Sequence, residues 1–164
     1  PLWGGAIGGI VGGIVNDALI AATGSRRWSR TAVGFLGKFL ASIFMFVALS
    51  SDSGVAAAWW LFVVKFFSDW TQPTVWGTCT DMGGRYSATT FSIINTSGSV
   101  GGIVTPLAFA FVLDYYTSTE VIDGATTAVT NYTPILVIVS AMYLLSAVSW
   151  FFINCTHSLE KDEQ

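Results

Sequence analysis

Charge is scarce in this sequence. Lys and Arg number 7 and Asp and Glu 10, so only 10% of the 164 residues are charged, against about 25% in ordinary soluble domains. That shortage argues against a water-facing surface of the usual kind. Cysteine is equally sparse: Cys79 and Cys155 form no C-x-x-C and no Cys/His cluster, so neither a disulfide framework nor a thiolate metal site is expected. The single histidine, His157, lies in a polar tail and cannot build a metal centre or serve as a base inside the apolar segments. The basic residues form no long patch, which excludes a nucleic-acid footprint. No charged n-region with a small-residue cleavage site opens the chain. Starting at Pro1 inside an apolar segment, it reads as a piece of something longer.

What the chain does have is apolar length and paired glycines. Gly4-Gly5, Gly8-Gly9 and Gly12-Gly13 recur every four residues with only apolar residues between them. In water such a helix should fail, since each glycine costs about 1 kcal/mol relative to alanine. In lipid every backbone amide must bond internally, and a glycine stripe lets a second helix come close. The ladder therefore reads as a tightly packed membrane helix. Asn16-Asp17 and the cluster Arg26-Arg27-Trp28-Ser29-Arg30 mark where it leaves the bilayer.

A spanning helix needs about 20 apolar residues. The expected spans are 2–15, 32–49, 55–78, 87–113 and 134–153, with connectors at 16–31, 50–54, 79–86 and 114–133 and a polar tail from 154 to 164. Arg26, Arg27, Arg30 and Lys38 flank the first connector, Arg85 lies in the third and Lys161 in the tail. The second and fourth connectors carry only Asp52, Asp114, Glu120 and Asp123. Alternate loops holding the loop cations is the positive-inside pattern, which puts the first connector, the third and the C-terminus in the cytoplasm. Trp28, Trp59-Trp60, Tyr115-Tyr116 and Trp150 fall near expected interfaces. The fold class expected is an all-α membrane protein with five transmembrane helices.

Polar groups inside such spans are candidate site residues. Lys65 and Asp69 stand at i, i+4 in the third span, able to pair on one face. A charge at bilayer depth costs about 2.5–3.5 kcal/mol on insertion scales and normally faces protein or a wet cavity. The pair reads either as a cavity wall, with Lys65 attracting an anion or Asp69 sharing in ion coupling, or as an internal salt bridge. Gln72, Pro73 and Trp76 continue the same face. Pro73 removes a helix hydrogen bond and predicts a kink or local unwinding, a feature transporters place beside the solute. Gln72 and Thr74 could bond hydroxyls; Trp76 could stack on a ring or simply pack. Asn95, level with about position 73, is either an interhelical tie or a solute contact, and Gly98 and Gly102 form a close-contact stripe. Asp17 could pair with Arg26, Arg27 or Arg30, or sit against the start of the helix near Ser87, as a gate; the alternative is a charge cluster that only sets topology.

Three stretches resemble the major facilitator superfamily, and within it the anion:cation symporters that carry sugar acids such as hexuronates. Gly13-x-x-x-Asp17 followed by Gly24-x-Arg26-Arg27-x-x-Arg30 is similar to the loop between helices 8 and 9. Trp76-Gly77-x-x-x-Asp81 followed by Gly84-Arg85 is similar to the end of helix 10, and Asn95-x-x-Gly98 with Gly101-Gly102 and Pro106 to helix 11. The resemblance implies a C-terminal fragment running from part of helix 8 to helix 12, that is, most of the second six-helix bundle of a twelve-helix transporter. It further implies proton-coupled symport of a small organic anion, in partnership with a lipid bilayer and an N-terminal helical half, without a cofactor, in the plasma (inner) membrane. Asn95 matches a substrate-cavity position, Gln72 and Thr74 occupy the stretch of helix 10 lining that cavity, and Asp17 matches the conformation-setting acid. An intramembrane serine hydrolase built on Ser97 or Ser99 lacks a base, and a purely structural subunit needs no charged pair inside a span.

Overall fold

Because lipid offers the backbone no hydrogen-bonding partner, long apolar runs must become helices. The computed structural model describes residues 2–51, 53–122 and 125–158. Its helices are α1 (Leu2–Thr23), α2 (Arg26–Leu49), α3 (Gly54–Trp70), α4 (Gln72–Gly83), α5 (Ser87–Tyr115) and α6 (Thr133–Ser149). The chain is an all-α membrane protein: α1, α2 and the run Gly54–Tyr115 are each long and apolar enough to cross a bilayer, and α6 is a shorter apolar helix.

Helix α3 is the hub, with α1 on one side and α2 on another, and α2 carries α6 on its far flank. Ala41, Met45 and Val64 form the buried core, packed about by Phe44, Leu61, Phe67, Leu136, Val139 and Tyr143. The glycine ladder explains the α1–α3 contact. A Cβ on Gly4, Gly8 or Gly12 would run into the backbone carbonyls of Phe62, Phe66 or Trp70, so these helices meet backbone to backbone. Helix α5 lies against α4 and buries none of its own residues among those described.

Several boundaries differ from those expected. The first connector, expected over 16–31, shrinks to Gly24 and Ser25, because α1 runs on to Thr23 and α2 begins at Arg26. Gly24 takes φ +66°, the left-handed conformation that ends helices, and the Thr23 hydroxyl meets Ser29 Oγ at 2.8 Å. Hydropathy registers where apolar residues give out, and the helix runs on past that point. Lys38, expected beside that connector, stands mid-way along α2, about 18 Å from Arg26 at 1.5 Å per residue. The fourth connector is not structureless: Thr117–Ile122 pairs antiparallel with Ala125–Thr130, Thr117 opposite Thr130. Its β-branched threonines and valines suit a pleated ribbon. Asp52, Asp123 and Lys161 lie outside the described residues.

Gly34 offers a local test. A Cβ there would enter the indole of Trp150, a ring held at 5% exposure whose carbonyl accepts from Thr31 Oγ1 at 3.4 Å. Gly34→Ala is expected to lower stability by about 1–3 kcal/mol, the usual range for overpacking, read as a lower midpoint of thermal unfolding in detergent.

Candidate functional site

The membrane-depth polar groups gather where the α3–α4 rod is broken. Helix α3 stops at Trp70, Thr71 makes a turn, and α4 starts at Gln72 with Pro73 in its first turn. Proline fits there because a first-turn residue needs no amide hydrogen. Its missing N–H leaves the Asp69 carbonyl without the donor a continuous helix would supply.

Two cavities open on this break and share a wall. One, of about 480 Å³, is lined by Gly5, Ala6, Gly9 and Ile10 of α1 and by Asp69, Gln72, Pro73 and Trp76. The other, of about 330 Å³, lies between α4 and α5 and is lined by Gln72, Val75, Trp76, Phe91, Ile94, Asn95, Gly98 and Ser99. Gln72 and Trp76 belong to both, and Trp76 meets Phe91 edge to face with centroids 6.4 Å apart. Lys65 Nζ donates to Asp69 Oδ1 at 2.8 Å. Gly5 makes room for that pair, since a Cβ on it would collide with the Asp69 carboxylate. Thus Asp69 and Asn95 line two adjacent cavities joined by Gln72 and Trp76, with Lys65 attached through Asp69.

Thr74 is placed elsewhere. It is completely buried, and its hydroxyl donates to Asn16 Oδ1 at 3.3 Å. Here it ties α4 to α1 and faces neither cavity.

The cluster of Asp17 and the arginines is also arranged differently from expectation. Arg30 Nη1 lies 2.8 Å from Asp81 Oδ2, and Arg26 Nη1 3.7 Å from Asp81 Oδ1. Asp17 is not at a helix end; it lies within α1 and takes a hydrogen bond from its neighbour Asn16 at 3.1 Å. Among the described residues it forms no ion pair. Arg27 stacks over Trp28 at 5.3 Å. Arg30 reaches Asp81 by crossing α4 at Gly77, where a Cβ would press on the guanidinium. The sequence held a signal for Asp81, because Gly77-x-x-x-Asp81 repeats the spacing of Gly13-x-x-x-Asp17 on a second helix.

Over 117 residues, 70% of its length, the chain is 33% identical to a probable sulfoacetate transporter, SauU, of Cupriavidus necator. It spans about a quarter of that relative, 26% of its length. No family model matches the chain.

The electrostatics of the site follow from its exposure. The Lys65–Asp69 pair is partly exposed, at 41% and 25% of the two side chains, and Asp69 opens on the larger cavity. Such a pair is neutral as a unit and becomes cationic when the carboxylate takes a proton. Gln72 and Asn95 add amide donors and acceptors, and Trp76 adds a flat apolar face.

Proposed function

We propose that this chain is the C-terminal part of a major facilitator superfamily symporter that moves a small organic anion together with protons. The observation that carries this reading is the interrupted helix at Thr71 with Asp69, Gln72, Trp76 and Asn95 around wet cavities at its break. Broken helices beside a mid-membrane site are the form in which transporters bind polar solutes. Similarity to a probable sulfoacetate transporter supports the same solute class; sugar acids are the class the sequence motifs favour.

In this mechanism Asp69 and Lys65 act as an exchangeable pair. With Asp69 ionised, its carboxylate occupies the Lys65 ammonium. A proton on Asp69 ends that claim, and the anionic group of the solute takes its place, so proton and anion enter together. Gln72 and Asn95 bond the solute's remaining oxygens, and Trp76 covers its carbon skeleton. The N-terminal half supplies the opposite wall, and rocking of the two halves exposes the site to each side in turn. The cytoplasmic side carries the C-terminus, and Asp17 governs closure there, while Arg26 and Arg30 are held by Asp81.

Uptake by the full-length protein in proteoliposomes, with sulfoacetate and a hexuronate as labelled solutes, tests the reading. Transport is expected to rise when the lumen is made alkaline relative to the bath; uptake indifferent to that gradient removes proton coupling, and no uptake of any organic anion removes the function. Asn95→Ala is expected to lower uptake about tenfold at unchanged membrane abundance, as loss of one or two hydrogen bonds of about 1 kcal/mol each implies. Normal uptake takes Asn95 out of the site.

A further inference from the structure

A second cation of these helices, Lys38, lies near the Lys65–Asp69 pair without forming a salt bridge to it. Its ammonium donates to the Ser68 carbonyl at 3.1 Å and approaches Ser68 Oγ at 3.4 Å, with the Tyr143 ring on another side, 5.5 Å from its centroid. Among the described residues no carboxylate lies within ion-pairing distance of it. A charge at this depth is expensive unless it does something there. The partner it has chosen is the last turn of α3, immediately before the break. The same Ser68 carbonyl also accepts from the Thr71 hydroxyl at 3.0 Å. Gly37, next to Lys38, lies so close to Thr71 and the Phe67 carbonyl that a side chain would not fit. Helix α2 therefore grips the break through Gly37 and Lys38, neither of which lines the cavity of Asp69, Gln72 and Trp76; Lys38 lines a separate cavity of about 370 Å³ with Val75, Ile94 and Trp150.

We infer that Lys38 is a positioning residue: by binding the Ser68 carbonyl it sets the angle at which α4 leaves α3, and with it the placement of Gln72 and Trp76 relative to Asp69. The break keeps the bonds from Thr71 N–H to the Asp69 carbonyl and from Val75 N–H to the Thr71 carbonyl, and an ammonium donating to the Ser68 carbonyl adds a hinge pin from a second helix. The consequence for solute affinity rests on the transport reading above; the consequence for the break does not.

The test uses the full-length protein in membranes. A cysteine at position 72 (Gln72→Cys, in a background otherwise free of cysteine) reports the cavity side of the break through its labelling rate with a small water-soluble thiol reagent. Lys38→Met is expected to change that rate about fivefold or more, as a shifted population at the hinge requires. With Gln72 intact, the same substitution should raise the KM for solute about tenfold with little change in maximal rate, the signature of lost binding geometry. Lys38→Arg, which retains donors able to reach Ser68, should restore both. If Lys38→Met does not accumulate, Lys38→Gln, uncharged and one atom too short to hold the Ser68 carbonyl at the same distance, carries the same expectation. Wild-type labelling in the Met or Gln variant overturns the inference, as does an equal shift in the Arg variant. Should the full-length protein move no organic anion, the labelling comparison still decides whether Lys38 holds the break.

Discussion

Gly8→Ala in the full-length protein should sharply reduce its abundance in the membrane, while Gly9→Ala, one position along, should leave it intact. Both changes add one methyl group to α1, and both improve intrinsic helix propensity by about 1 kcal/mol. Packing alone separates them. A Cβ at Gly8 would occupy the space of the Phe66 carbonyl, and one at Gly12 the space of the Trp70 carbonyl. Those obstacles are backbone in the middle of a helix and cannot rotate aside, so α1 and α3 must separate. At Gly9 the nearest atom, the Asp69 carbonyl oxygen, is 3.8 Å from the added carbon, an ordinary van der Waals contact. Overpacking costs about 1–3 kcal/mol where side chains can adjust, and the Gly8 and Gly12 substitutions belong at or above the top of that range. Separation of α1 would also dismantle the cavity that Gly5, Ala6, Gly9 and Ile10 line with Asp69, Gln72 and Trp76, so activity should fall with abundance. The measurement is quantitative immunoblotting of membranes together with thermal stability in detergent. Equal abundance for the Gly8 and Gly9 variants would falsify the backbone-to-backbone contact.

The same ladder shows what a sequence can reveal and what it withholds. Glycines at every fourth position declare a close helix neighbour, because no other residue leaves the backbone bare on one face. They do not say which helix comes close, and the pairing with α3 becomes visible only once Phe62, Phe66 and Trp70 are seen across from them. Pro73 likewise announces an interruption, and its place within a turn of Thr71 follows from the missing amide hydrogen. That Thr74 turns inward to Asn16 could not be read from spacing, since a threonine one residue away from the cavity-facing stripe fits either side of a helix. Helix ends were the least legible feature. Residues 16–31 bring in Asn16, Asp17 and the arginines, which marks the end of the purely apolar run, but polar residues extend helices as readily as they form loops. The hairpin at Thr117–Thr130 was hidden for a related reason: hydropathy ignores β-branching, the property that favours a ribbon there. Lys38 was assigned to an interface by its sign alone, although its distance from Arg26 along one helix already placed it deep.

The arginine cluster leads to the second large effect. Arg30 and Asp81 are mostly buried, with 9% and 18% of their side chains exposed, and they meet at 2.8 Å. Removing one member of such a pair leaves the other charged and unpaired in a poorly solvated place, which costs about 3–5 kcal/mol. Asp81→Asn and Arg30→Gln should each therefore destabilise the protein strongly. Arg26 touches Asp81 at 3.7 Å from a side chain 66% exposed, so Arg26→Gln should cost about 1 kcal/mol at most. The exchange Arg30→Asp with Asp81→Arg should recover part of the lost stability, since opposite charges again face each other across Gly77. Both partners belong to helices of the same packed group, α2 and α4. Their bond is thus a staple within that group, kept while it moves as a body, and its loss should appear as lower abundance and a lower unfolding temperature before any change in solute affinity. Asp17 differs on every count: it is exposed, lies within α1, and receives one hydrogen bond from Asn16. If the conformational latch resides at Asp17, Asp17→Asn should leave the stability within about 1 kcal/mol of wild type, the worth of one hydrogen bond, while shifting the balance between inward-open and outward-open states. Stability lost at Asp81 and state preference altered at Asp17 would assign the staple and the latch to different acids. Loss of stability and a shift in state preference both at Asp81, with neither at Asp17, would give Asp81 both roles.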